Sequence, residues 1–189
     1  MTIELDLDIA IHRAKLGDEA GIVLLFRSFN PQLIRYLRHH VPYDYEDVAS
    51  ETWVAIAKGI SDFNGNSRDF RAWMFGIARN KVADFFRAAK KSGEALDRAR
   101  KHLTNNAYFE NSDSTAGPAI ANLSAEEAID ALVGVLSPHH AEVLLLRVVG
   151  DLSVEEVAKL MGKSPEAIRV IQHRALNTLA KRFYRNVVT

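Results

Sequence analysis

Apolar residues recur at helical spacing along most of this chain, so the expected fold is all-α: two small helical domains joined by a flexible linker. Residues 5 to 16 predict a short helix with Ile9, Ala10 and Ala14 inward. Gly17 breaks it, and Asp18 is placed to cap the next. From Glu19 to His40 apolar positions are dense, Leu25, Phe29, Leu33 and Leu37 among them. Asn30-Pro31 either kinks this helix or restarts it with an asparagine cap and proline at the first position, and Val41-Pro42 closes it. Asp44 to Lys58 predicts a third helix, ended by Gly59, with Val48, Thr52, Ala55 and Ile56 on one face. Trp53 falls outside that face, which implies a second buried surface, within this domain or against a partner. Residues 61 to 69 are a polar loop holding one apolar residue, Phe63. Arg68 to Lys90 is then a long helix with Phe70, Trp73, Met74, Ile77 and Phe85 as its stripe; Arg71, Phe75, Arg79, Val82 and Phe86 lie off it.

The pattern changes at Lys91. Gly, Ser, Asn, Asp, Thr and Pro collect up to Leu123, which reads as a linker between domains at 1–90 and 124–189. Ser124 and Glu127 form a capping box for a helix to about Val135, and Ser137-Pro138 opens another. The most informative stretch follows. Ser153 with Glu156 is a second capping box, Gly162 ends that helix, and Ser164 caps a last helix beginning at Pro165. Short helix, glycine turn and capped helix, at about 153–173, make a helix-turn-helix. On the second helix Ile168, Ile171, Ala175, Leu176 and Leu179 should face a core. Arg169, Val170, His173, Arg174, Asn177 and Lys181 fall opposite, a basic face suited to a DNA groove. A solvated charged face is the plainer reading, but capping, turn and charge agree on DNA. Gln172 stands near the apolar stripe, where a leucine is expected.

Charge sharpens this picture. The 189 residues carry 24 Lys and Arg against 24 Asp and Glu, so the neutral total conceals a basic C-terminal end after an acidic stretch at 124–162. The absence of cysteine excludes a disulfide framework and thiolate chemistry. No N-terminal signal pattern appears, and the aliphatic run Val143 to Val149 is too short to span a bilayer, so the expectation is a cytoplasmic protein without membrane insertion. His39-His40 and His139-His140 are sequence neighbours and so face different directions on a helix, which is poor metal geometry. No phosphate loop, zinc motif or nucleophile elbow occurs; no catalytic residue, metal site or cofactor is expected, and the chain does not read as an enzyme. Aromatics interleaved with arginines on the long helix could form a platform for single-stranded nucleic acid, although core packing is the better account of the helix aromatics and function that of the loop.

The order of these parts resembles one family. The chain is similar to bacterial RNA polymerase sigma factors of the extracytoplasmic-function, or group four, type. AKLGDEAGIVLLFRSFNPQLIRYLRHHV resembles the opening helices of sigma region two, YEDVASETWVAIAK its polymerase-binding helix, and FNGNSRDFRAWMFGIARNKVADFFR its promoter-melting segment. LSPHHAEVLLLRVVGDLSVEEVAKLMGKSPEAIRVIQHRAL resembles region four. The resemblance implies core RNA polymerase as partner, through its β′ clamp helices and β flap, together with promoter DNA and, in many members, an anti-sigma factor; the regulated programme would be a stress or envelope response. It assigns polymerase docking to Glu46, Asp47, Ser50, Glu51 and Trp53. Phe63, Asn64, Gly65, Asn66, Ser67 and Arg68, with Arg79 and Asn80, would capture and line the −10 strand. Lys163, Ser164, Arg169, Val170, His173 and Arg174 would read the −35 duplex. The rival readings are a free-standing helix-turn-helix regulator with a helical sensor domain, which predicts an apolar, closed first domain, and an enzyme with a DNA-binding tail, which predicts convergent polar residues there.

Overall fold

The computed structural model describes residues 2–91, 129 and 133–187, and every regular element among them is helical. In order these are α1 (Thr2–Lys15), α2 (Glu19–His40), α3 (Tyr45–Gly59), a 3-10 turn (Ile60–Asp62) and the long α4 (Ser67–Lys91). After them come α5 (Pro138–Leu144), a π turn (Leu145–Val149), α6 (Val154–Met161) and α7 (Pro165–Val187). The chain divides into two compact units, Met1–Phe85 with Val149–Leu152, and Phe86–Val148 with Ser153–Thr189. The expected linker beyond Lys91 and the Ser124–Glu127 capping box lie outside the described residues. Among the described residues no helix is long and apolar enough to cross a membrane.

In the first unit, α1 and α2 are joined at a sharp corner. Asp18 caps α2 through the Ala20 N–H at 2.9 Å and pairs with Arg13 at 2.7 Å. The bond from Arg13, then that from Ala20, hold its carboxyl below the usual aspartate range. The two helices approach closely because the contact is made of small residues. A Cβ on Gly21 would stand 2.6 Å from both the Ala10 carbonyl oxygen and the Ala14 backbone nitrogen. The buried face of α1 is Leu7, Ala10, Ile11 and Ala14, at spacings of three and four. Ile9, expected inward, is half exposed; it lies one position off that stripe.

Pro31 lies inside α2, which runs through it without restarting. Asn30 therefore does not cap. Its side-chain oxygen instead accepts the indole N–H of Trp53 at 2.9 Å, tying α2 to α3. Trp53 also meets Phe26 at 5.1 Å between ring centroids. The second buried surface implied by Trp53 is thus internal. Thr52, fully buried, is satisfied by donating to the Val48 carbonyl at 2.7 Å.

The buried face of α4 differs from the expected stripe. Phe70, Met74, Phe75, Ala78 and Val82 are buried, whereas Trp73, Ile77 and Phe85 are half-buried. The cause is α2, which meets α4 through Phe29 on Phe70, 5.2 Å apart, and Tyr36 on Phe75, also 5.2 Å apart. These contacts turn the helix toward Phe75. Each such buried side chain contributes about 1.5–3 kcal/mol, so two aromatic contacts outweigh the small differences in face that set the sequence pattern.

In the second unit α7 packs on α5 and α6. Ile168, Ala175 and Leu179 are buried along it, while Leu176, expected to be inward, is half exposed. Gln172 has a specific role: its side-chain oxygen accepts Arg147 Nε–H at 3.3 Å, a polar tie from α7 to the π turn. A leucine there would leave that acceptor role unfilled.

The Gly21 contact is testable. Gly21→Val should lower unfolding free energy in urea by about 1–3 kcal/mol, the usual range for forcing volume into a packed contact, with near-native helicity by circular dichroism before the transition.

Candidate nucleic-acid interface and docking face

The helix-turn-helix forms as its residue types require. The Ser153 hydroxyl accepts the Glu156 N–H at 3.1 Å, and the Glu156 carboxylate accepts the Ser153 N–H, a complete capping box. Gly162 then takes φ 62°, which residues with a Cβ adopt only at a cost. That turn lets Lys163 N–H reach the Ala158 carbonyl at 3.0 Å and Gly162 N–H the Lys159 carbonyl at 3.3 Å, the Schellman pattern. Ser164 caps α7 through the Ala167 N–H at 3.2 Å.

On α7 the structure brings the predicted reading residues together. Lys163, Ser164, Arg169, Val170, His173 and Arg174 are all exposed, opposite the buried Ile168 and Ala175. Arg169 is held by Glu155 of α6 at 2.9 Å and by Glu166 at 3.6 Å. The Glu166 carboxyl is kept below its ordinary range by its own backbone N–H, by Ser164 and by Arg169, and so stays ionised beside that guanidinium. His173 Nε2 lies 2.9 Å from the Asn177 side-chain nitrogen. The amide N–H donates there when that ring nitrogen is unprotonated.

The loop before α4 is built differently, with fixed ends and an open middle. Phe63 is buried, stacked on Trp73 at 5.0 Å and edge-on to Phe70 at 5.7 Å. At the far end the Asn66 side-chain oxygen accepts the N–H groups of Arg68 at 2.9 Å and Asp69 at 3.1 Å, while Asp69 returns an acceptor to the Asn66 N–H at 3.0 Å. Ser67 is buried, and its N–H donates to Asp8 of α1 at 2.7 Å. Asn64, Gly65, Asn66 and Arg68 are exposed. The Asn64 amide makes no hydrogen bond among the described residues. Phe63 and Ser67 are buried and anchor the two ends of the loop. Asn80 is exposed and Arg79 half-buried on α4 beyond the loop.

A third surface lies on α3. Glu46, Asp47, Ser50 and Glu51 are exposed along it. The Ser50 hydroxyl is turned back on the Glu46 carbonyl at 2.9 Å. Glu51 pairs with Lys81 of α4 at 3.1 Å and Glu46 accepts the Tyr45 hydroxyl at 3.3 Å, with Asp47 exposed between them. Ser50, Glu51, Val54, Ala55, Lys58 and Lys81 line an open cleft of about 380 Å³, with Val54 half exposed at its wall. Trp53 on the same helix is only 9 % exposed, and its indole N–H is donated to Asn30.

Comparison with known proteins settles the family. Residues 25–92 match the model described as Sigma-70 region 2, and residues 132–181 match Sigma-70, region 4. The ECF RNA polymerase sigma factor ShbA of Streptomyces griseus is 34% identical over 178 residues, 89% of this chain and 91% of ShbA. The chain belongs to the ECF RNA polymerase sigma factors. This sigma factor is also 33% identical over 181 residues to SigD of Mycobacterium tuberculosis, covering 92% of its own length and 82% of that of SigD. To BldN of Streptomyces coelicolor it is 34% identical over 178 residues, 90% of its own length but 63% of the longer relative. Among solved structures, CnrH in complex with the cytosolic domain of CnrY superposes with a TM-score of 0.63 at 24% identity, over 95% of this sigma factor and 99% of that chain, a likeness of fold.

Three residues of these surfaces escaped the sequence. Asp69 could have been found, since Asn66 and Asp69 stand at the three-residue spacing of a capping box. Lys81 and Asp8 could not, because their partners are 30 and 59 residues away in the chain.

Gly162 offers a check on the helix-turn-helix. Gly162→Val should cost about 1–2 kcal/mol, the penalty of a Cβ in the left-handed region, read as a lower urea midpoint at unchanged m-value.

Proposed function

We propose that this sigma factor directs core RNA polymerase to a defined set of promoters, with residues 1–90 docking on the polymerase and opening the −10 element and residues 124–189 reading the −35 element. Residues 91–123 link them through the polymerase. The observation that carries the reading is the agreement of site with family: the open loop at Asn64–Asn66 falls inside the region 2 match, and the exposed basic face of α7 inside the region 4 match.

The geometry supports a role for each surface. Acids on α3 suit a basic docking surface, the β′ clamp helices, and exposed Asp47 stands among those acids. The adjoining cleft at Val54 gives an apolar contact beside the charges, the combination that lets a docking face hold as well as steer. The region 4 unit meets the β flap. At the −10 element, extruding a base costs a few kcal/mol, offset by a receiving site that does not have to order itself. A loop with both ends fixed and Asn64 and Gly65 between them meets that need. Arg79 and Asn80 then line the path of the strand. On α7, Lys163 and Ser164 hold phosphate at the helix start, and Arg169, Val170, His173 and Arg174 face the bases. Arg169 arrives already oriented by Glu155, which favours a fixed reading geometry over a mobile one. An anti-sigma factor that covers the α3 face would compete with the polymerase for Asp47. The site of action is the cytoplasm, with the polymerase.

Run-off transcription with purified core RNA polymerase and a pool of genomic promoter fragments tests the reading. Transcripts that depend on the added protein and share −10 and −35 sequences are expected; none, with no co-elution with core, would return the chain to a free-standing regulator. Two variants divide the surfaces. Asp47→Lys should abolish binding to core, measured by fluorescence anisotropy, while helicity stays native; unchanged affinity would remove the docking face. Arg174→Ala should reduce transcription from a −35-dependent promoter by about tenfold or more, the worth of a lost base or phosphate contact of about 1–3 kcal/mol, with core affinity intact. Equal loss in both would remove its reading role.

A further inference from the structure

The Asp8–Ser67 contact joins two parts of the chain that the family match separates. Asp8 sits on α1, before the region 2 match begins at residue 25, and Ser67 opens the helix that follows the −10 loop. A helix start leaves four N–H groups without partners. Here Asn66 serves those of Arg68 and Asp69. The Ser67 N–H goes to Asp8 Oδ1 at 2.7 Å, a charge-assisted bond at the positive end of the helix dipole. Asp8 is itself held firmly. Leu7 before it and Ala10 and Ile11 after it on the buried face of α1 hold the helix in place, α1 is locked on α2 by the Gly21 contact, and α1 also packs on the 3-10 turn Ile60–Asp62 that leads into the loop.

We propose that Asp8 is a positioning residue for promoter opening: α1 belongs to the −10 apparatus because its carboxylate fixes the far end of the base-receiving loop, as Phe63 on Trp73 fixes the near end. This rests on the assignment of the loop to the −10 strand. With the anchor in place, the loop meets an extruded base without first losing its own freedom. Without it, ordering of the loop is deferred to the moment of base capture, so the loss falls on opening and on discrimination among −10 bases, not on docking to polymerase.

The test uses the full chain with core polymerase and a promoter carrying 2-aminopurine in the −10 non-template strand. Asp8→Ala, Asp8→Asn and Asn64→Ala are compared for opening rate, for the penalty of −10 base substitutions, for core affinity and for urea stability. Asp8→Ala should slow opening by about tenfold, the worth of a bond to a charged group, and flatten the base-substitution penalties at unchanged core affinity. Asp8→Asn keeps the oxygen acceptor and the side-chain shape, and should restore most of the rate. Because it also preserves packing, it keeps the comparison valid should Asp8→Ala fold poorly: an Asn variant that is native in stability yet as slow as the alanine variant overturns a hydrogen-bonding anchor. So does an Asp8→Ala protein that opens at the native rate with native base penalties, or one that loses core affinity in step with opening. If Asn64→Ala slows opening and Asp8→Ala does not, the anchor is wrong and the −10 loop stands. If neither slows it, the loop assignment falls and the anchor with it.

Discussion

Phe70 is the residue on which the first unit depends. Its ring touches Phe29 of α2 at 5.2 Å, Phe63 of the loop at 5.7 Å and Trp73 of its own helix at 5.8 Å. One buried aromatic therefore sets how α4 lies on α2 and where the loop before α4 begins. The loop could not hold an open, polar middle unless its apolar end were fixed in this way. Polar backbone left exposed between two anchored ends keeps its hydrogen bonds to water.

The two units handle charge in different ways. On α3 the acids stand along an exposed face, and one of them, Glu51, is drawn aside by Lys81. On α7 the cations stand on one face, and Arg169 is steadied by Glu155 and Glu166. Exposed pairs of this kind contribute little to stability. Their effect is on orientation: they decide which charge points outward and which is already engaged. A chain with no net charge thus carries an exposed acidic face on α3 and an exposed basic face on α7.

Helix starts are the other recurring device. Asp18, Asn66, Ser153 and Ser164 each satisfy backbone N–H groups locally. The Ser67 N–H is served instead from another helix, by Asp8 of α1. Where local capping suffices, a turn is autonomous; where it is completed from a distance, the turn reports the packing of the whole unit.

Local chemistry explains which features the sequence alone determined. The helix-turn-helix was legible residue by residue, because capping boxes, a left-handed glycine and proline at a first turn act over three or four positions. The α-helical class and the family likewise followed from spacing and from motif order. The deviations share one cause. Ile9 and Leu176 are exposed, Phe75 and Val82 are buried, Gln172 bonds Arg147, and Trp53 is buried with Asn30 as partner. Each was decided by a second helix whose position no local pattern specifies. Periodicity says that a helix has an inner face but fixes its direction only to within about a residue. In the first unit the contacts of Phe29, Tyr36 and Gly21 settle the rest, and the bond from Ser67 to Asp8 exists only once α1 has been placed against α2.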